Sequence, residues 1–369
     1  MTLHQPAVGS GRPRPVPPAG PVPTARAGAV AAVCAVLAIL LAGSVLLAIG
    51  LGPAPVPPGD TARLLWAALS GGRVAAADAT TYQIIWEIRT PRVLLAALVG
   101  AGLSAVGVAV QAMVRNALAD PFVLGISSGA SVGAVAVTVS GGLAGLGIHA
   151  VSTGAFAGAL AAAALVYLAS SRGGVLSPLR LVLTGVSASF GLQAVMSVLI
   201  YLAPNSEATS TVLFWTMGSF GAADRAALPV VATVVTLGVV LLHRRSRGLD
   251  VLALGDETAA SLGVSPDRDR RLLLVLASLM TGVMVAVSGA ISFVGLVMPH
   301  LTRLAVGAGH ARVLAVAPLA GALFMVWVDL IARTVVAPRE LPLGAITALI
   351  GVPVFIVLMR RKSYVFGGR

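Results

Sequence analysis

The residues able to do chemistry in this 369-residue chain are few and scattered. Its one lysine, Lys362, follows Arg360 and Arg361 without a glycine-rich turn, so no phosphate-cradling loop exists and the polypeptide does not itself hydrolyse ATP. The histidines His4, His149, His243, His300 and His310 are far apart, and the single cysteine, Cys34, lies in an apolar run. Neither a metal cluster, a disulfide nor a nucleophile–base constellation follows from such spacing. The carboxylates flank the apolar runs, with Asp329 alone at the end of one. An aspartate there is either the ionisable group of an ion-coupled carrier or the partner of Arg333 one helical turn later, and the i,i+4 spacing favours the partner. What remains is recognition chemistry: Arg89 and Arg92 in IRTPR, Arg333 in DLIAR, and a helix start at Asp256.

The elements that must position these groups are apolar. Hydrophobic residues make up 57% of the chain and charged ones 10%, with a mean hydropathy of +0.97. Lipid must therefore be the solvent for most of the surface. Apolar runs that approach or exceed the roughly 20 residues a bilayer demands occur at 27–51, 93–114, 122–139, 151–168, 179–202, 226–242, 272–292, 313–331 and 343–359. A shorter run, 293–306, carries Pro299, His300 and Arg303 and reads as a tenth, irregular span. With 42 glycines and few aromatics, the spans are expected to pack through small residues. Gly125, Gly129 and Gly133, then Gly154 and Gly158, recur every fourth residue and predict one close crossing.

A net charge of +12 and a pI near 11.4 would suit a nucleic-acid binder, but no soluble basic module is visible. Ten spans place both termini on one side. That side collects eighteen basic residues against six acidic ones, while the other holds seven of each. The asymmetry is the positive-inside signature and assigns both termini to the cytoplasm of a plasma or inner membrane. Trp66, Trp86, Trp215 and Trp327 all fall on the outer side, where amphipathic rings suit the headgroup boundary. Residues 1–26, rich in proline with scattered arginine, read as a disordered cytoplasmic tail, 27–362 as the membrane domain and 363–369 as a second tail.

The inner loop at 244–271 contains helix signals. Asp256 is expected to cap a turn that Gly263 ends, and Ser265 with Pro266 opens the next helix. Leu252, Leu254 and Leu262 would then be apolar teeth on a short helix lying across the cytoplasmic face. Arg115, Asn116 and Asp120 in RNALADP tie a tight inner turn. On the fifth run, Thr184, Ser187, Ser189 and Gln193 form a sparse polar set, open to a pathway role or to helix–helix hydrogen bonding.

Five segments in order carry a resemblance: IRTPRVLLAALVGAG through SSGASVGA at 88–134, FWTMGSFG at 214–221, ALGDETAASLGV at 253–264, SGAISFVGLVMPHLTR at 288–303, and DLIARTVVAPRELPLG onward at 329–356. Together they are similar to the FecCD family of permeases, which import iron–siderophores, haem and cobalamin. The resemblance implies an all-α, polytopic bundle of about ten transmembrane helices with inverted halves, like the cobalamin permease. It implies ATP-binding subunits, an extracytoplasmic binding protein and a second permease copy or paralogue as partners, no nucleic acid, and no cofactor beyond the ATP held by the partner. Onto this chain it carries ATPase coupling at Leu252, Leu254, Gly255, Asp256, Glu257, Ala260, Leu262 and Gly263. It carries binding-protein docking at Arg89, Arg92 and Arg333, and a pathway wall along the fifth span and 210–221. Among cargoes a ferric siderophore is the expectation, with haem and cobalamin as alternatives. An ion-coupled carrier and a membrane-embedded enzyme are the rivals of other classes.

Overall fold

The computed structural model describes residues 27–173, 175–203, 212 and 215–360. The two expected tails and residues 210, 211, 213 and 214 of the expected pathway segment lie outside them. Helix α1 (Ala27–Gly50) is followed by the amphipathic α2 (Pro58–Ser70) and a short helical run through the π-helical turn Gln83–Arg89 into α3 (Thr90–Val114). Then come α4 (Ile126–Ser140), α5 (Ala150–Ser170), α6 (Pro178–Tyr201) and α7 (Leu228–Arg244). Two short helices follow, α8 (Ser246–Ala253) and α9 (Asp256–Ser261). The chain closes with α10 (Pro266–Ser288), α11 (Val294–Val306), α12 (His310–Thr334) and α13 (Leu343–Arg360). A two-residue hairpin, β1 (Ser171–Arg172) with β2 (Val175–Leu176), joins α5 to α6.

Seven of these helical stretches are long and apolar enough to cross a membrane, and α4, α11 and α13 are shorter apolar helices, which matches the ten runs read from the sequence. Apolar run length places the ends to within four residues, except that α10 begins at Pro266, six residues ahead of its apolar run, because the charged turn 267–271 continues the helix.

Helix α3 runs through the centre, almost wholly buried, with α7, α10, α11 and α12 around it. Small residues make this possible: a methyl group on Gly107 would collide with the carbonyl of Gly295 on α11. The glycine stripes of α4 and α5 meet as expected, Gly129 on Gly158 and Gly133 on Gly154, too close for any side chain on either helix. Helix α1 is peripheral and packs mainly along α12, where the Cys34 thiol lies 3.6 Å from the Ala315 carbonyl oxygen.

Where helices break, the freed backbone groups find each other. Ser219 donates its N–H to the Ser288 carbonyl at 2.8 Å, Ala290 to Trp215 at 3.3 Å, and Leu343 to Gly218 at 3.1 Å. Three of the sequence motifs therefore meet at one knot of irregular backbone. Non-helical chain is tolerated at membrane depth only when surrounded by protein in this way.

Candidate functional site

The two ends of the bundle carry most of the polar structure. At the basic end, α9 presents exposed Glu257 and Ala260, and it is flanked by Leu254 and Leu262, about 60% exposed (62% and 60%), and by exposed Gly263. Its C-terminus is a glycine-terminated cap: Gly263, at φ +79°, donates to Ala260 at 3.0 Å and Val264 to Ala259 at 2.9 Å. Gly255 precedes the helix at φ 111°, a conformation side chains disfavour, and this lets the chain turn sharply out of α8.

Two expectations here are corrected. Asp256 caps nothing; it is the first residue of α9, and its carboxylate forms a two-pronged ion pair with Arg270 on α10, one arm at 2.9 Å. Leu252 is not an outward tooth but a buried core residue, 1% exposed, because α8 turns that face onto α3 and α12. Ser265 also stands at its expected cap position without a side-chain hydrogen bond.

Sequence reasoning missed Arg270. It is 1% exposed although it sits in the surface-like run PDRDRR. Besides Asp256, it donates to the carbonyls of Met113 at the end of α3 (3.3 Å) and Leu176 of β2 (3.1 Å). Asp267 accepts the Leu176 N–H at 2.9 Å, and Arg115 lies 3.9 Å from Asp256. One guanidinium thus joins the exposed short helix to α3, to α10 and to the strand that leads into α6. The hydrogen bonds from Arg270 outweigh the partial burial of Asp256 and hold its carboxyl below the ordinary aspartate range. Nearby, Asp250 of α8 accepts the His310 backbone N–H at 2.9 Å and contacts its Nδ1 at 2.6 Å, which locks α8 to the start of α12. Asn116 and Asp120 close the RNALADP turn as read, each accepting a backbone N–H at 2.9 Å.

Deeper in the bundle, Gln111 on α3 is fully buried; it donates to the carbonyls of Gly295 (3.2 Å) and Leu296 (3.3 Å) and accepts from Arg303 of α11. A lone glutamine in an apolar run was the signal that could have revealed this tie.

At the opposite end, Arg89, Arg92 and Arg333 come together, yet they are 5%, 7% and 3% exposed. The resemblance had assigned these three to binding-protein docking, and the structure turns them onto groups of this chain. Arg89 donates to the carbonyls of Ile49 (3.2 Å), Gly50 (2.9 Å) and Ala54 (2.6 Å), and Arg333 to those of Leu51 (2.6 Å) and Ala48. Those of Ala48, Ile49 and Gly50 are carbonyls at the C-terminus of α1, which cations satisfy and which carry partial negative charge, and those of Leu51 and Ala54 belong to the turn that follows. Arg92 reaches Asp329 at 2.7 Å and holds both oxygens of Glu340 at 2.6 and 3.0 Å. Asp329, fully buried, also pairs with Arg333 at 3.2 Å, as the i,i+4 reading had it. Among the described residues, Arg73 and Arg339 are the exposed arginines at this end that have no carboxylate within ion-pair distance; Arg63 and Arg225 are held by Asp60, Asp78 and Glu87.

Between the ends, the polar set of α6 divides. At 100° per residue, Thr184 and Ser187 lie about 60° apart while Ser189 and Gln193 take the other side of the helix. Ser187 and Gln193 are exposed, whereas Ser189 donates within reach of the Phe122 (3.2 Å) and Gly185 (2.9 Å) carbonyls and so ties α6 to the turn before α4. A cavity of about 470 Å³ opens at the end opposite the basic one, with His149, Trp215, Ser219, Asp224 and Ser288 in its wall.

Comparison with known proteins places this architecture. The profile of the FecCD transport family matches residues 36–361. The chain is 40% identical over 337 residues to the uncharacterized ABC transporter permease protein YvrB of Bacillus subtilis, covering 89% of this chain and 93% of that one. It is 40% identical over 281 residues to the hemin transport system permease protein HmuU of Yersinia pestis, covering 75% and 84%. A solved structure described as an inward-facing conformation of a metal-chelate type ABC transporter superposes with a TM-score of 0.78 at 31% identity, covering 89% of this chain and 99% of that one.

Proposed function

The chain belongs to the FecCD transport family, and we propose that it is the membrane-spanning permease of an importer that carries a ferric siderophore or related metal chelate inward, driven by ATP hydrolysis on a partner subunit. The observation that carries this reading is the short helix α9, exposed at the basic end and wired through Asp256 and Arg270 to three other elements. A helix that merely lay on the lipid surface would not need a buried guanidinium joining it to α3 and β2. In the proposed mechanism, ATPase closure pushes on Leu254 and Leu262, and Arg270 transmits the displacement into the spans, alternating access between the two faces. Thr184 and Ser187, on one side of α6, line the pathway at the contact with a second permease, while Ser189 on the other side ties that helix to the turn at Phe122 and Gln193 falls outside the wall. The charge asymmetry supports a cytoplasmic position for α9 in the plasma or inner membrane.

The relatives are named for hemin, cobalamin, Fe(3+) dicitrate and molybdate transport; the first three of these cargoes are metal chelates, and the cargo reading rests on them. Haem and cobalamin are the alternative cargoes. An extracytoplasmic binding protein would settle on the end formed by Arg89, Arg92 and Arg333. Since these three are engaged inside the chain, we assign direct contact with acidic residues of that partner to Arg73 and Arg339, and the platform beneath to the buried three.

Two results would test this. Co-expressed with its ATPase, a Leu254→Asp, Leu262→Asp variant should lose co-purification and drop coupled ATP hydrolysis about tenfold or more, while the isolated permease keeps its melting temperature. Undiminished coupling would remove the helix from the interface. For docking, Arg339→Glu should weaken binding-protein affinity by about 1–2 kcal/mol, the scale of an exposed charge reversed at an interface rim, without loss of stability. If instead Arg92→Glu leaves stability intact and abolishes docking, the buried arginines make the contact themselves.

A further inference from the structure

We propose that the groove between α7 and α12 at the basic end is a binding site for an anionic phospholipid. The inference depends on the membrane reading but not on which chelate is carried or which ATPase drives it. The groove encloses about 520 Å³ and is walled by Val239 and Val240 of α7 and by Leu314, Ala315, Pro318 and Leu319 of α12, with His243 and Arg244 at its mouth.

Depth and charge select the occupant. Pro318 and Leu319 lie eight and nine residues into α12, about 12 Å along its axis, so the apolar part sits at acyl-chain level. His243 and Arg244 close the last turn of α7, at headgroup level, and both are exposed. Among the described residues neither has a carboxylate within ion-pair distance, whereas the neighbouring Arg245 is held by Asp269 and His310 by Asp250. A phosphodiester is the anion that this geometry accepts while an acyl chain fills the groove below. The chain's own first 26 residues are a poor occupant, since they bring Arg12, Arg14 and Arg26 and no acid to a basic mouth. Pro318 breaks the hydrogen-bond ladder of α12 at this depth, so a chain wedged here bears on a helix already weakened, the helix whose far end carries Asp329 and Arg333.

The test is native mass spectrometry of the full chain in detergent, titrated with phosphatidylglycerol and phosphatidylcholine of identical acyl chains. The expected result is one phosphatidylglycerol retained per chain in preference to phosphatidylcholine. At about 1 kcal/mol per basic residue near a headgroup, Arg244→Gln should reduce that preference about fivefold. Arg268→Gln, which removes an exposed charge elsewhere on the same end, should leave it unchanged. Val240→Trp, which fills the groove from its lipid-exposed side, should lower retention of both lipids. Equal retention of the two lipids by the unaltered chain would overturn the site, as would equal losses in Arg244→Gln and Arg268→Gln, which indicate general surface potential. Displacement by inorganic phosphate, or undiminished retention in Val240→Trp, would show a headgroup contact without the groove. A Val240→Trp chain that changes its dimer fraction but not its lipid count would make the groove an interface between copies instead. The coupled ATPase assay above is independent of all these outcomes.

Discussion

Replacing Arg270 with methionine is expected to uncouple transport from ATP hydrolysis, lowering ATPase stimulation by about tenfold or more while the spans remain assembled. The side chain keeps an unbranched apolar stem but ends about where Nε stood, and it loses all five donors. The Met113 and Leu176 carbonyls lose their partner, at about 1–3 kcal/mol for each that stays dry, and Asp256 is released to water. Because the Asp256 carboxylate is 42% exposed, its own loss is small, since an exposed charge rehydrates. The opposite substitution acts through a different group. Asp256→Asn leaves a guanidinium buried at 1% exposure with no countercharge, which costs about 3–5 kcal/mol. The two single variants should thus lose comparable stability, and they should agree in losing coupling. Arg270→Lys should restore little, since an ammonium cannot hold two carboxylate oxygens and two carbonyls in fixed directions.

Acid gives an independent check on the pair. Asp256 has a depressed folded pKa, so its stabilisation is complete above the ordinary aspartate value and is lost as pH falls through the lower folded one. No change in coupling from this group is expected between pH 6 and 8. Arg270→Met with full coupling would remove the wiring from the mechanism.

What the sequence disclosed and what it hid follow different physics. Span number and ends were readable because a bilayer sets a minimum apolar length, and the α4–α5 crossing because Gly129, Gly133, Gly154 and Gly158 repeat at helical spacing. The cap at Gly263 was readable because a left-handed helix terminus selects glycine locally. Burial of charge was not readable in the same way. Arg270 sits amid charged neighbours, and nothing local says that one of them turns inward by way of Met113, 157 positions away. Asp256 looked like a cap because an acid at a helix start usually is one; the long-range guanidinium won over the local N–H. Arg89, Arg92 and Arg333 looked like surface groups at the mouths of spans, and only the fold shows the α1 carbonyls waiting for two of them. Glu340 carried no signal, since its partner Arg92 is 248 positions away.

Asp329 separates the two classes of transporter. In an ion-coupled carrier, a buried carboxylate at the end of a span would exchange protons or sodium during each cycle, and Asp329→Asn would abolish uptake while preserving the fold. Here the carboxylate lies between Arg92 and Arg333, so two guanidinium groups share two acids, Asp329 and Glu340, while Arg89 is held by backbone carbonyls alongside. Removing Asp329 leaves like charges confronting one another in a site its solvent does not reach. Asp329→Ala should therefore destabilise the chain by about 3–5 kcal/mol and loosen the C-terminal end of α1, where Arg333 holds the Ala48 and Leu51 carbonyls. Exchange of the Ala48, Gly50 and Leu51 region, read by hydrogen–deuterium mass spectrometry, should rise together with the fall in melting temperature. A compensated variant, Asp329→Leu with Arg92→Met, removes one charge of each sign and should recover part of that loss, because a buried pair replaced by apolar groups is often neutral, and Glu340, which gives up Arg92, is partly exposed and rehydrates. Uptake by the compensated variant decides the class: with ATP present and the ion gradient collapsed, an ATP-driven permease still transports, and an ion-coupled carrier lacking its carboxylate does not.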